Sequence, residues 1–147
     1  MRFRIGLFMM LVLGLAACGS DSPPTSGEAI AFEDTCNDGN NGKRLAVEGY
    51  LILPDSFTDS TSVVLRLYES ADLSGPPIGV QINFGTDPNR IEKVPTSYTD
   101  DDLKVHLADG SVVGYTTLVR VSGSVYYPLV GQDFVCGLEN PLVERAS

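Results

Sequence analysis

From Arg44 onward the apolar residues of this chain recur at every second position, and no segment after residue 33 carries a sustained helical period. Leu45, Val47, Gly49, Leu51 and Leu53 alternate with more mixed residues up to Pro54, and Val63, Leu65 and Leu67 repeat the pattern through Tyr68. Ile78, Val80, Ile82 and Phe84 alternate with Gly79, Gln81 and Asn83, and Leu103, Val105 and Leu107 alternate with Lys104 and His106. Asp109-Gly110 then gives a two-residue hairpin signal leading to Val112 and Val113. Val119, Val121, Gly123 and Val125 alternate with Arg120, Ser122 and Ser124, and Phe134, Cys136 and Leu138 make the last clear strand. Side chains of a strand point to opposite faces in turn, so this spacing predicts half-buried antiparallel strands and an all-β domain of about six or seven of them. The longest irregular connection, residues 87 to 102, carries two prolines and has room for one helical turn.

Two architectures satisfy such a pattern: a small antiparallel Greek-key barrel of five strands, and an immunoglobulin-like β-sandwich. The glycines favour the barrel. Val47-Glu48-Gly49-Tyr50 and Val121-Ser122-Gly123-Ser124 each set a glycine inside an alternating run, where a closing sheet must coil sharply or bulge. At these residues the chain resembles small OB-fold domains, with Gly42-Lys43-Arg44-Leu45-Ala46-Val47-Glu48-Gly49 as a first strand and Val119 to Val125 as a fourth. Leu142-Val143-Glu144 resembles the close of their fifth strand, and the likeness spans about residues 43 to 145. It implies an OB-like barrel in which the usual helix between strands three and four gives way to residues 87–102 and the hairpin at Asp109-Gly110.

The N-terminus is of a different character. Arg2 and Arg4 precede the apolar run Ile5 to Leu13, which is shorter than the roughly 20 residues a membrane-spanning helix needs. A charged start, a short apolar core and small residues at its end are the parts of a secretory signal. Leu15-Ala16-Ala17-Cys18 resembles the lipobox of bacterial lipoproteins. The resemblance implies cleavage between Ala17 and Cys18, acylation of Cys18, and a partner in membrane lipid through that cysteine. It also implies a place in the cell envelope: the periplasmic face of the outer membrane in a Gram-negative source, since Gly19 rather than Asp follows the cysteine, and otherwise the outer face of the cell membrane. The expected organisation is thus a signal peptide over 1–17, a lipidated flexible tether over 18–33, and one β domain over 34–147.

Removing residues 1–17 leaves all 19 acidic residues and takes away two of the 10 basic ones, so the formal charge moves from -9 to -11. A nucleic-acid partner is therefore not expected, because phosphate binding needs a Lys/Arg surface. With Cys18 assigned to lipid, Cys36 and Cys136 remain as an even pair in an exported chain, and they are expected to form a disulfide.

Residues that could carry chemistry are few. His106 is the only histidine, on the polar phase of its strand, so no histidine cluster can bind a metal and a catalytic base would have to be this one residue. Asp38 and Asn40 lack the spacing of a calcium loop, and consecutive Asp100, Asp101 and Asp102 point in different directions. No cofactor, metal or catalytic residue is expected. Tyr50, Tyr68, Tyr115, Tyr126 and Tyr127 could line a groove for sugar or peptide rings, although adjacent Tyr126 and Tyr127 must face opposite sides of a strand. Three functions follow in order: a non-catalytic binding or assembly module whose partner is another envelope protein; a binder of an oligosaccharide or peptide in the barrel groove; and an enzyme whose site the sequence does not reveal.

Overall fold

The computed structural model describes residues 22–129 and 133–147. Among the described residues nine strands form: β1 (Glu28–Ala29), β2 (Arg44–Ile52), β3 (Ser62–Tyr68), β4 (Ile78–Asn83), β5 (Arg90–Ile91), β6 (Val105–His106), β7 (Val112–Val113), β8 (Leu118–Tyr126) and β9 (Gly137–Arg145). The larger sheet runs β1-β2-β3-β4-β9-β8, and β8 pairs again with β2 along Arg44 to Tyr50, so β2, β3, β4, β9 and β8 close into a five-stranded barrel. All of its neighbours are antiparallel except β4 and β9, which run parallel through Gly79–Gly137 and Val80–Leu138. That order, with the third and fifth barrel strands parallel, is the Greek-key barrel of the OB type, and the sandwich is excluded because no second free sheet edge remains.

The alternation does what its period requires. Val47, Leu65, Leu67, Val80, Val121, Leu138 and Val143 are all fully buried inside the barrel, each contributing about 1.5–3 kcal/mol by its removal from water. Two mid-strand glycines mark the places where the sheet closes. A Cβ on Gly49 would lie 2.4 Å from the Tyr68 carbonyl oxygen, and one on Gly123 would lie 2.8 Å from the Leu138 side chain, beside the β8–β9 register shift between Ser122 and Ser124.

No helix bridges β4 and β8. A three-stranded sheet, β5-β6-β7, stands there instead and closes the barrel end with Ile91, Leu103, Val105 and Leu107, all at most 1% exposed. It is sewn to the barrel by Ala108 N–H donating to the Val143 carbonyl and Val143 N–H donating to Asn89 Oδ1, both at 2.8 Å. The Asp109-Gly110 hairpin forms, with one correction: Leu107 still pairs with Ser111, so the connection is the three residues Ala108 to Gly110 and not two. Gly110 takes a left-handed φ of 85°, the glycine position of such three-residue turns.

Two further expectations change. The last strand does not include Phe134 and Cys136; it starts at Gly137 and continues through Pro141 to Arg145. Its alternation is interrupted at Asn140 (φ 50°), where the bulge against β8 shifts the phase, so the eye stops the strand where the pairing goes on. The chain also joins the barrel upstream of residue 34. Glu28 and Ala29 run parallel to β2, Ile30 N–H donates to the Ala46 carbonyl, and Ile30 and Phe32 pack against the core, so the segment expected as tether overlaps the barrel in its second half.

Cys36 and Cys136 are joined, with Cα atoms 5.4 Å apart at a sequence separation of 100. The bond ties the turn after β1 to the residue before β9, and Cys136 itself accepts a hydrogen bond from Gly79 N–H.

Candidate functional site

The outward phase of β3 places Ser62, Val64, Arg66 and Tyr68 on one wall of the barrel, and that of β4 adds Gly79, Gln81 and Asn83. The loops flanking this wall, residues 53–61 after β2 and the described residues 127–129 and 133–136 before β9, rise on either side of it. Between them lies a groove of about 480 Å³ bordered by Asp55, Phe57, Asp59, Arg66, Gln81 and Phe134. Smaller depressions continue it in both directions. One, of about 300 Å³, shares Val64, Gln81 and Phe134 and reaches Tyr126 and Leu129; another shares Pro54, Asp55 and Arg66 and reaches Tyr68 and Tyr98.

Each loop is held by its own chemistry. Phe57 stands between Phe84 and Tyr98 with ring centroids 5.5 Å from each, and the Tyr98 hydroxyl donates to the Pro54 carbonyl at 2.7 Å. Burial raises the Tyr98 phenol above its ordinary pKa, in keeping with its place as a donor inside the loop base. Asp59 accepts from the Thr61 hydroxyl and amide, both at 2.7 Å, and from the Ser62 hydroxyl at 3.0 Å. Those donors favour the ionised carboxylate and hold its pKa at about 2. On the other side, Phe134 packs close to Gly79 in the wall; a Cβ there would stand 3.2 Å from its ring.

The groove's charge is acidic around a single cation. Arg66 donates to Asp55 at 2.8 Å and lies 3.7 Å from Asp133, while Asp59 stands nearby on the same rim. The hydrogen bond from Arg66 keeps the Asp55 carboxyl below the usual carboxylate range, and the same bond raises Arg66. Arg66 is 18% exposed and its two partners are 88% and 85% exposed, so the guanidinium is already met by carboxylates that reach into solvent. A phosphate would have to displace them.

The tyrosines divide. Tyr126, the last residue of β8, is 52% exposed and borders the groove, whereas Tyr127, one residue past the strand, packs against the core. Tyr68 borders the opposite end beside Tyr98, Tyr50 pairs with Tyr68 across β2 and β3, and Tyr115 packs against the core. His106 lies on the small capping sheet, away from the groove, with Nε2 3.1 Å from Glu92 Oε1; Lys104 Nζ is 3.5 Å from the same carboxylate. The His106 hydrogen bond is the main cause holding the Glu92 carboxyl below its ordinary pKa. Asp100 to Asp102 form one 3-10 turn, closed by a capping box between Thr99 and Asp102. Among the described residues no three His, Cys, Asp or Glu side chains are grouped to hold a metal ion. The expected cleavage site, Ala17 and Cys18, and the lipid attachment at Cys18 lie outside the described residues.

Arg66, Gln81, Phe57 and Phe134 are the groove residues that sequence reasoning did not single out. Arg66 had a signal: an isolated cation on the polar phase of a strand, in a chain with an acidic excess. Phe57 had none, because a loop phenylalanine reads alike whether it walls a groove or fills a core, and Phe134 reads in the sequence as an inward residue of the last strand.

No family model matches the sequence, and comparison with curated proteins and with solved structures finds no match.

Proposed function

We propose that this protein is a lipid-anchored, non-catalytic binding module of the bacterial cell envelope, and that it engages another envelope protein through the wall formed by β3 and β4. The observation that supports this most is the groove itself: an open, partly apolar surface between two braced loops, with Arg66 held between Asp55 and Asp133. OB barrels bind their partners on this wall and between these loops. The charge pattern favours a partner that brings basic and apolar side chains over a nucleic acid. His106 meets Glu92, which also pairs with Lys104, and no nucleophile bonds to that imidazole among the described residues, which supports a binding role over hydrolysis. The anchor is the acylated Cys18 implied by Leu15-Ala16-Ala17-Cys18, which fits the two-cysteine disulfide of the barrel.

A photoreactive amino acid placed at Gln81, in the groove, and separately at Arg120, on β8, tests the reading in living cells. Crosslinking of one discrete envelope protein from position 81 and not from 120, reduced at least tenfold by Asp55→Lys with Asp133→Lys, is the expected result. Equal capture from both positions would refute a role for the groove.

A further inference from the structure

The segment before β1 does not leave the barrel where β1 ends. It crosses the outer wall over β2, β8 and β9, and three contacts fix it. Gly27 lies on the backbone of Leu45 so closely that a Cβ would stand 2.4 Å from its carbonyl carbon. The Thr25 carbonyl accepts from Arg44 Nε, and the same guanidinium donates to the carbonyls of Asn140 at 3.0 Å and Ser122 at 3.4 Å. Pro24 then borders a polar basin with Asn83, Asn89, Arg90, Glu139 and Asn140. The outward-facing Ser122 is 0% exposed.

The place where this strap ends sets where an anchor can pull. Cys18 precedes Pro24 by only six positions, a reach of about 20 Å when fully extended. A compact domain of this size is about 35 Å across. A leash shorter than the barrel's diameter cannot let the far side turn to the membrane. The basin at Pro24 is less acidic than the groove's centre: its charges are Glu139 and Arg90, the latter 3.9 Å from Asp87, whereas Asp55, Asp59 and Asp133 cluster around Arg66 at the centre. The less acidic face of an acidic domain is the one that an anionic headgroup layer repels least.

We infer that the strap docks the barrel with the Asn83–Arg90–Asn140 basin toward the lipid headgroups, so that the groove opens along the membrane surface and takes partner segments lying close to it. Gln81 and Glu139 belong both to the basin and to the groove, which makes the basin the groove's membrane-proximal end. The Tyr68–Tyr98 end lies about 20 Å away, because Asn83 of the basin pairs with Ser62 and Tyr68 stands six residues further along β3. The inference rests on acylation of Cys18 as proposed above.

The chain has no tryptophan, so single reporters can be introduced. Asn83→Trp, with Glu139→Trp as the alternative should the first not fold, reports the basin, and Asp101→Trp reports the far end; all three positions are exposed. The full chain is produced in a bacterial host, purified from membranes and reconstituted into phosphatidylcholine vesicles carrying a headgroup spin label. Quenching at least threefold stronger at position 83 than at 101 is expected, and equal quenching overturns the docking. Inserting 20 Gly/Ser residues between Asp21 and Ser22 should abolish the difference; a difference that persists would overturn the leash as its cause. Mass spectrometry of the purified protein reads acylation of Cys18 separately. If Cys18 carries no lipid, the anchor reading fails by itself, and coupling a maleimide lipid to the free Cys18 thiol leaves the docking geometry open to the same measurement.

Discussion

Breaking the Cys36–Cys136 bond should cost this barrel a large part of its stability while leaving its topology intact. The cystine closes a chain segment with a sequence separation of 100, and β2 to β8 all lie inside that loop. Constraining so long a loop in the unfolded chain stabilises the folded state by about 4.7 kcal/mol in the chain-entropy account. Cys136 is fully buried and Cys36 packs against the core, so replacing both with alanine adds a small packing loss of about 1 kcal/mol. The folded state keeps its other ties at this point, since Cys136 still accepts from Gly79 N–H and β9 still pairs with β4 and β8. The double alanine variant should therefore unfold in urea with a free energy lower by about 4–6 kcal/mol, or melt about 15–20 °C lower given the usual unfolding entropy per residue. A reductant should shift the wild-type transition in the same direction and leave the variant unmoved. A loss below about 1 kcal/mol would refute the reasoning, because the unfolded chain would then not be restrained by the loop.

Four other outcomes follow from single positions. Leu65→Ala, at a fully buried site in the barrel centre, should lower the unfolding free energy by about 2–5 kcal/mol in urea denaturation, and a loss under about 1 kcal/mol would mean that the barrel is not packed around it. Ser122→Ala should be neutral or stabilise by up to about 1 kcal/mol in the same assay, since the buried Ser122 hydroxyl has no hydrogen-bond partner among the described residues. Gly49→Val should destabilise by about 1–3 kcal/mol or more, because the Tyr68 carbonyl that a Cβ would meet is backbone and cannot swing aside. Asp59 has a folded pKa depressed from 3.8 to about 2, so its contribution is present above pH 4 and is lost as the pH falls through 2. A carboxyl NMR titration should find its midpoint near 2, and a midpoint near 3.8 would show that Thr61 and Ser62 do not bond to it in solution.

Much of this architecture was legible in the residues. The two-residue period of β2, β3, β4 and β8 depends only on side chains pointing alternately in and out, which is local geometry and survives any tertiary arrangement. The mid-strand glycines at 49 and 123 pointed to sharp coiling for the same reason. Where the period is broken the pattern is discontinuous: the bulge at Asn140 separates Leu138 from the Leu142-Val143-Glu144 end of the same strand, and of the meander closing the barrel end only the Leu103 to Leu107 alternation and the Asp109-Gly110 turn show in the residues, whereas its first strand, Arg90–Ile91, is too short to carry a period.

The amino-acid sequence by itself determined the strand pattern, the all-β class and the acidity of the domain; it favoured a barrel over a sandwich, and the β2–β8 pairing of the folded chain decided between them. Tertiary structure alone decided the groove and the path of the strap. Arg66 meets Asp55 across 11 residues and Asp133 across 67, Phe57 meets Tyr98 across 41, and Arg44 reaches Asn140 across 96. Those contacts join residues whose separations follow no period, so only the closed barrel, by fixing which loops rise beside which wall, brings them together.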